Sequence, residues 1–111
     1  MNRDKASIID INTAAKRILK FSQGLDLAKL SADEEKQSSI MYQIIVIGEA
    51  TKRLSPAFRD ANSSIPWKEI AGMRDILAHQ YDKVEIEDLW GVIQSDIPTL
   101  IELIKPLLPP Q

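Results

Sequence analysis

The sequence predicts an all-α protein, an antiparallel bundle of four main helices and one short helix. Apolar residues recur at three- and four-residue steps through most of the chain, which is the period of a helix buried along one side. No segment shows the strict alternation of a half-buried strand, and no Asn-Gly hairpin signal occurs. With 111 residues, 44% of them hydrophobic, the chain is long enough for a single domain over residues 1–111 that buries a core.

The first predicted helix covers residues 3 to 22. Its apolar residues fall on one stripe at helical spacing, which predicts the face that packs on the core. These residues are Ile8, Ile11, Ala15, Ile18 and Leu19. Gly24 follows, and glycine is a common helix terminator.

The second predicted helix begins at Ser31-Ala32-Asp33-Glu34, which has the form of a capping box, and runs to Leu54. Its core stripe consists of Ile40, Ile44, Ile47 and Thr51, and further apolar residues at Met41, Ile45 and Val46 widen that stripe. A helix that is apolar over so wide a sector is buried on more than one side. The pattern predicts a central or interfacial helix.

Three start signals divide the rest of the chain. Ser55-Pro56 combines a capping serine with proline at the first helical position, and it predicts a short helix. Pro66 opens a third main helix with Trp67, Ile70 and Leu77 on one side. The last helix starts near Glu85, and Pro98 inside it is expected to kink or divide it, because proline removes an amide donor.

Composition excludes several kinds of site. The chain has no cysteine and one histidine, which excludes disulfides, thiolate nucleophiles and a multi-histidine metal site. The net charge of −2 argues against a protein that coats nucleic acid nonspecifically. Basic residues are nevertheless concentrated mid-sequence, at Lys52, Arg53, Arg59, Lys68 and Arg74. No targeting segment is visible and the longest apolar runs are too short to span a bilayer, so the sequence predicts a cytoplasmic protein without membrane association.

The candidate chemistry lies around the only histidine. Arg74 precedes His79 by five residues, and Tyr81 follows it by two. Histidine exchanges protons near neutral pH, and the arginine fork suits phosphate, so the pair indicates cleavage of a phosphodiester. RNA supplies its own nucleophile, the 2′-hydroxyl, so no metal and no cofactor is required. Asp75, one helical turn before His79, could orient the imidazole, and Tyr81 could bind phosphate or stack on a base.

Helix geometry restricts this mechanism. On a regular helix Arg74 and His79 lie about 140° apart around the axis, so one straight helix does not easily direct both side chains at one phosphate. Either the helix ends near His79, or two copies of the motif meet across a two-fold axis. The same residues also fit a purely structural pattern, in which Asp75 and His79 form a surface pair and Tyr81 belongs to the core.

Four sequence landmarks extend the motif. They are residues 46–55 (VIGEATKRLS), residues 65–75 (IPWKEIAGMRD), His79-x-Tyr81, and Asp96-Ile97-Pro98. With these landmarks in this order, the chain resembles the HepT-like toxin family of the HEPN superfamily. The resemblance implies a HEPN-type bundle that forms a homodimer and places the R-x4-H-x-Y motif of each subunit beside a shared cleft.

The resemblance also implies an activity and its control. Members are metal-independent ribonuclease toxins of type VII-like toxin–antitoxin systems, paired with a nucleotidyltransferase antitoxin of the MNT type. On this sequence, Arg74 and His79 match the catalytic pair, Asp75 the supporting position, and Tyr81 the tyrosine to which the antitoxin transfers AMP. The alternatives are a noncatalytic helical subunit that binds a nucleotidyltransferase, or a purely structural helical dimer.

Overall fold

The computed structural model describes the backbone of residues 2–79 and 85–110, and the side chains of residues 2–74 and 85–110. All regular structure within these ranges is helical, which confirms the predicted all-α bundle. The α-helices are α1 (Arg3–Phe21), α2 (Leu27–Ser31), α3 (Glu34–Lys52), α4 (Pro56–Ala61), α5 (Trp67–His79), α6 (Ile86–Gly91) and α7 (Ile97–Ile104). A π-helical segment, Val92–Asp96, joins α6 to α7, and a 3-10 turn, Lys105–Leu107, follows α7.

Helices α1 and α3 are antiparallel neighbours. At the start of α1, the Asp4 carboxylate accepts hydrogen bonds of 2.8 Å from both the backbone N–H and the hydroxyl of Ser55, just beyond the end of α3. Further along the two helices, Arg53 pairs with Asp10 at 3.1 Å. Helix α3 packs against α1 and also against α5, which confirms the predicted central helix.

Among the described residues, one hydrophobic cluster connects the helices. The stripe residues predicted on α1 and α3 are buried, apart from Leu19, Ile45 and Val46, which are partly buried. Thr51 donates its hydroxyl to the Ile47 carbonyl at 2.8 Å. Helices α6 and α7 add Leu89, Ile97 and Leu100, among others, to the same core. Across the described helices, no stretch combines the length and the apolar character that crossing a bilayer requires.

The predicted start of the second main helix is wrong. Ser31 is the last residue of α2, a short helix capped by Asp26, and the Ser31 hydroxyl donates to the Leu27 carbonyl at 2.8 Å. The N-cap of α3 is Asp33, whose carboxylate accepts from the Lys36 amide at 3.0 Å. A carboxylate caps a helix as well as a hydroxyl does, and Ser31 belongs to the last turn of α2. The N-cap of α3 therefore lies two residues later than the pattern indicated.

Pro98 does divide the last helix, as predicted. The helix widens into the π-helical segment before the proline, where the Ile97 amide donates to the Val92 carbonyl five residues back. Proline has no amide with which to continue an α-helical ladder, and a π turn is a common way to accommodate such an interruption. The chain remains helical through the break, so Ile93 and Ile97 both reach the core.

Candidate active site

The start of α5 is fixed by Trp67. Its indole N–H donates to the Asn62 carbonyl at 3.1 Å, and its ring packs against Phe58 with 6.1 Å between the centroids. The Pro66 carbonyl accepts the first helical hydrogen bond, from the Ile70 amide. A buried aromatic ring with its polar atom satisfied sets the position of the helix that carries the motif.

Arg74 lies at a close approach of α5 to α3. A Cβ atom added to Gly48 would lie 2.6 Å from the Arg74 Cβ and 2.9 Å from its Cγ and Cδ, closer than packed carbon atoms approach. The absence of a side chain at Gly48 therefore allows the aliphatic part of Arg74 to lie against the α3 backbone. Glycine here serves close packing of two helices within one chain.

The head of Arg74 is held by the next residue of α3. Its Nη1 atom lies 2.8 Å from the Glu49 Oε1 atom, and the side chains of Arg74 and Glu49 are 25% and 50% exposed. The guanidinium is thus mostly covered, while the carboxylate still reaches solvent. Gly48 and Glu49 together fix both the stem and the head of the arginine.

The other predicted site residues are described only in part. Asp75 and His79 belong to α5, of which His79 is the last residue, and their side chains lie outside the described residues. Tyr81 lies outside the described residues altogether. Because α5 is helical from Arg74 to His79, the separation of about 140° around the axis holds for these two positions.

A groove opens beside the Arg74–Gly48 contact. It has a volume of about 760 Å³ and is bounded by the end of α3, by α4 and by the first two turns of α5. Three cationic residues line it, one from each helix: Lys52, Arg59 and Lys68. We call it the basic groove. A smaller cavity of about 200 Å³ lies between α5 and α7, and its walls include Ile70, Met73 and Leu100.

Comparison with known proteins assigns the family. The family model described as Ribonuclease HepT-like matches residues 11–107, which include Gly48, Arg74, His79 and the basic groove. The chain belongs to the HepT-like ribonuclease family. This confirms the family that the sequence landmarks indicated.

Individual relatives agree with this assignment. The HepT-like chain is 37% identical over 86 residues to "Putative RNase TTE0752" of Caldanaerobacter subterraneus subsp. tengcongensis, covering 78% of this chain and 77% of the relative. It is 34% identical over 91 residues to "Probable ribonuclease HepT" of Thermococcus cleftensis, covering 82% and 83%. No solved structure matches the chain significantly.

Sequence reasoning did not identify Glu49 as a partner of Arg74. Gly48 and Glu49 stand inside one of the HepT-like landmarks, but nothing in their spacing indicates which helix they face. The contact joins residues 25 and 26 positions apart, Glu49 and Gly48 on α3 and Arg74 on α5. The sequence signal of this contact is a glycine followed by an acid directly after the apolar run at residues 44–47.

Proposed function

We propose that this HepT-like protein is a metal-independent endoribonuclease toxin that cleaves RNA with Arg74 and His79. The observation that carries the proposal is the placement of Arg74, gripped by Gly48 and Glu49 on the helix that also carries His79, in a chain of the ribonuclease family. A permanent cation held at one position is the preorganised group that a developing phosphoryl charge requires.

The proposed reaction is transesterification within the RNA. The 2′-oxygen attacks the adjacent phosphorus, the bond from phosphorus to the 5′-oxygen breaks, and the products are a cyclic phosphate and a free 5′-hydroxyl. His79 takes the proton from the 2′-hydroxyl or supplies one to the leaving 5′-oxygen, a contribution of about 10²- to 10⁴-fold. Arg74 stabilises the charge on the phosphoryl oxygens, and Asp75 orients the imidazole.

The active unit in this proposal is a homodimer. The separation of about 140° between Arg74 and His79 along α5 fits a composite site, in which each subunit supplies one member of the pair. Because His79 is the last residue of α5, a site formed within one subunit is the alternative that the test of the dimer must exclude. Helix α3 offers a surface for such an association, since Tyr42 on it is 62% exposed and Ile45 and Val46 are only partly buried.

Control of the toxin is proposed to act at Tyr81. An MNT-type nucleotidyltransferase would transfer AMP to the Tyr81 hydroxyl, forming a phosphodiester with the tyrosine and releasing pyrophosphate from ATP. The added group carries a bulky nucleoside and a negative phosphate. Two residues from His79, it would fill the cleft and repel RNA phosphate.

The test is cleavage of cellular RNA by the unmodified protein in the presence of EDTA, with intact mass establishing the modification state. We expect wild-type cleavage in the chelator and a loss of about 10²-fold or more in His79→Ala and in Arg74→Lys. Arg74→Lys keeps the aliphatic stem against Gly48 and the positive charge, so it isolates the guanidinium fork. Wild-type rates in His79→Ala would exclude this site.

The regulatory part has a separate readout. Coexpression with an MNT-type nucleotidyltransferase should add AMP mass to the protein, confined to the peptide that contains Tyr81. Stable binding to that partner without any RNA cleavage by unmodified protein would instead support the noncatalytic binding subunit.

A further inference from the structure

The basic groove lies within one helical turn of Arg74. Lys52 lies one helical turn after Gly48 on α3, and Ala71, also in the groove lining, lies one turn before Arg74 on α5. The lining of the groove therefore comes within one helical turn of the contact between Gly48 and Arg74 on both helices. Its volume of about 760 Å³ falls in the usual range for ligand sites, about 300–1,000 Å³.

The register of α5 connects the same groove with His79. Lys68 and Gly72 both line the groove, and they precede His79 by eleven and seven residues. On a regular helix both spacings return to the same stripe within about 20°. Around the helix axis, the groove thus faces the sector of α5 between Arg74 and His79. Along the axis, it lies on the N-terminal side of both residues.

The charges in the groove favour a polyanion. Within the part of the chain that the structure describes, neither the Arg59 guanidinium nor the Lys68 ammonium forms an ion pair, and Lys68 is exposed. The Arg59 Nε atom is buried without an acceptor among the same residues. Three cations in the lining face two carboxylates, Asp60 and Glu69. Glu69 also borders the cavity between α5 and α7, so it is shared between the two depressions, and Asp60 is the acid that lies in the groove alone.

We propose that the basic groove binds backbone phosphates of single-stranded RNA next to the scissile bond, through Lys52, Arg59 and Lys68. This inference rests on the proposed ribonuclease function. An RNA strand that leaves the Arg74–His79 region along α5 enters the groove and meets one cation from each of three helices. The groove would then contribute affinity and position without reading base sequence, because contacts to phosphate carry no direct sequence information.

The test is the salt dependence of RNA binding. A fluorescent single-stranded RNA oligonucleotide is titrated with full-length protein carrying His79→Ala, which prevents cleavage, over a series of KCl concentrations. Removing one cation that binds a phosphate should reduce the slope of log K against log salt by about 0.7. We expect this reduction in Lys68→Ala and about twice as much in Arg59→Ala/Lys68→Ala. Lys16, which is also exposed, lies on α1 outside the groove, and Lys16→Ala should keep the original slope.

The outcomes separate the groove from the activity. Equal slopes in Lys68→Ala and Lys16→Ala would overturn the proposal. The same result is expected if the groove binds an acidic protein surface instead of RNA. Lys68→Ala decides the matter even if the double variant does not fold, because alanine is tolerated at an exposed helical position. A reduced slope in a protein whose wild-type form cleaves no RNA would support the groove and contradict the proposed function.

Discussion

At the scale of single residues, Gly48 is the position that tolerates least change. An alanine there would bring its Cβ to 2.6 Å from the Arg74 Cβ, which sits next to the backbone and cannot rotate away. We therefore expect α3 and α5 to separate in Gly48→Ala, with unfolding free energy lowered by about 1–3 kcal/mol. The measurement is urea denaturation.

Gly91→Ala is the matched control for that substitution. Gly91 is helical, with φ −60° and ψ −41°, and a Cβ there would contact nothing within 4 Å. Alanine at this position should stabilise the protein by about 0.4–1 kcal/mol, because it lowers the entropy of the unfolded chain. If Gly48→Ala proved as stable as Gly91→Ala, the close contact with Arg74 would be contradicted.

Glu49 is expected to affect the rate of RNA cleavage more than stability. Its carboxylate is half exposed, so loss of the 2.8 Å pair with Arg74 should cost no more than about 1 kcal/mol. In Glu49→Ala the guanidinium loses one of its anchors, and a small displacement of a catalytic group lowers the rate steeply, so we expect kcat to fall about 10-fold. KM should not rise, because removal of the Glu49 carboxylate leaves the positive charge of Arg74 more available to RNA phosphate.

Two further variants make the Glu49 prediction specific. Glu49→Gln keeps an oxygen that can accept from Arg74, and its kcat should lie between those of wild type and Glu49→Ala. Glu102→Ala removes an exposed acid from α7 and should leave both constants unchanged. An unaltered kcat in Glu49→Ala would show that this pair does not position the arginine.

At the scale of elements, Asp4 ties the start of α1 to the start of α4. The hydrogen bonds from the Ser55 amide and hydroxyl hold the pKa of Asp4 below its ordinary value of 3.8. Because the pKa of Asp4 is lower in the folded protein, its ionised form stabilises the fold at pH values above the ordinary pKa. This contribution is lost as the pH falls through the pKa of the folded state. We expect the stability difference between wild type and Asp4→Asn to be constant near neutral pH and to shrink below pH 3.8.

Ser55 provides the control for that pH dependence. Its hydroxyl also accepts from the Phe58 amide as the N-cap of α4, so Ser55→Ala should cost about 1 kcal/mol. Asp4 and Ser55 share their hydrogen bonds. The variant Asp4→Asn/Ser55→Ala should therefore lose less unfolding free energy than the sum of the two single losses. Additive losses, or a difference that persists unchanged to low pH, would contradict the coupling.

The element scale also indicates what periodicity can and cannot predict. The stripes of α1 and α3, the capped start at Ser55-Pro56 and the division at Pro98 followed from local rules that the structure confirms. The position of the α3 cap did not, because Ser31 and Asp33 compete within three residues and α2 decides between them. The contact of Gly48 and Glu49 with Arg74 was also not predicted, because it depends on which helices pack together in the fold.

At the scale of the whole molecule, the net charge of −2 conceals an uneven distribution. The basic residues in the middle of the sequence lie close together in the fold. Lys52, Arg59 and Lys68 line one groove near the position of Arg74. Helix α3 supplies three things at once: the core stripe, the grip on Arg74 and one wall of the groove. The active site proposed here is thus a property of the central helix as much as of the helix that carries the motif.

The composite site gives the whole-molecule proposal its most direct test. If each site takes Arg74 from one subunit and His79 from the other, mixed dimers of Arg74→Ala and His79→Ala contain one intact site and one site that lacks both residues. Random subunit exchange between the two inactive proteins should therefore restore about a quarter of the wild-type cleavage rate. The measurement is RNA cleavage after unfolding and refolding the two variants together.

The matched control is the double variant Arg74→Ala/His79→Ala refolded with wild type. In that mixture every heterodimer pairs one intact residue with one missing residue at both sites, so only wild-type homodimers are active. The expected activity is again about a quarter, but here it comes entirely from wild-type dimers. If instead both catalytic residues acted from the same subunit, the wild-type mixture would retain about half of the activity, and the two single variants would restore none.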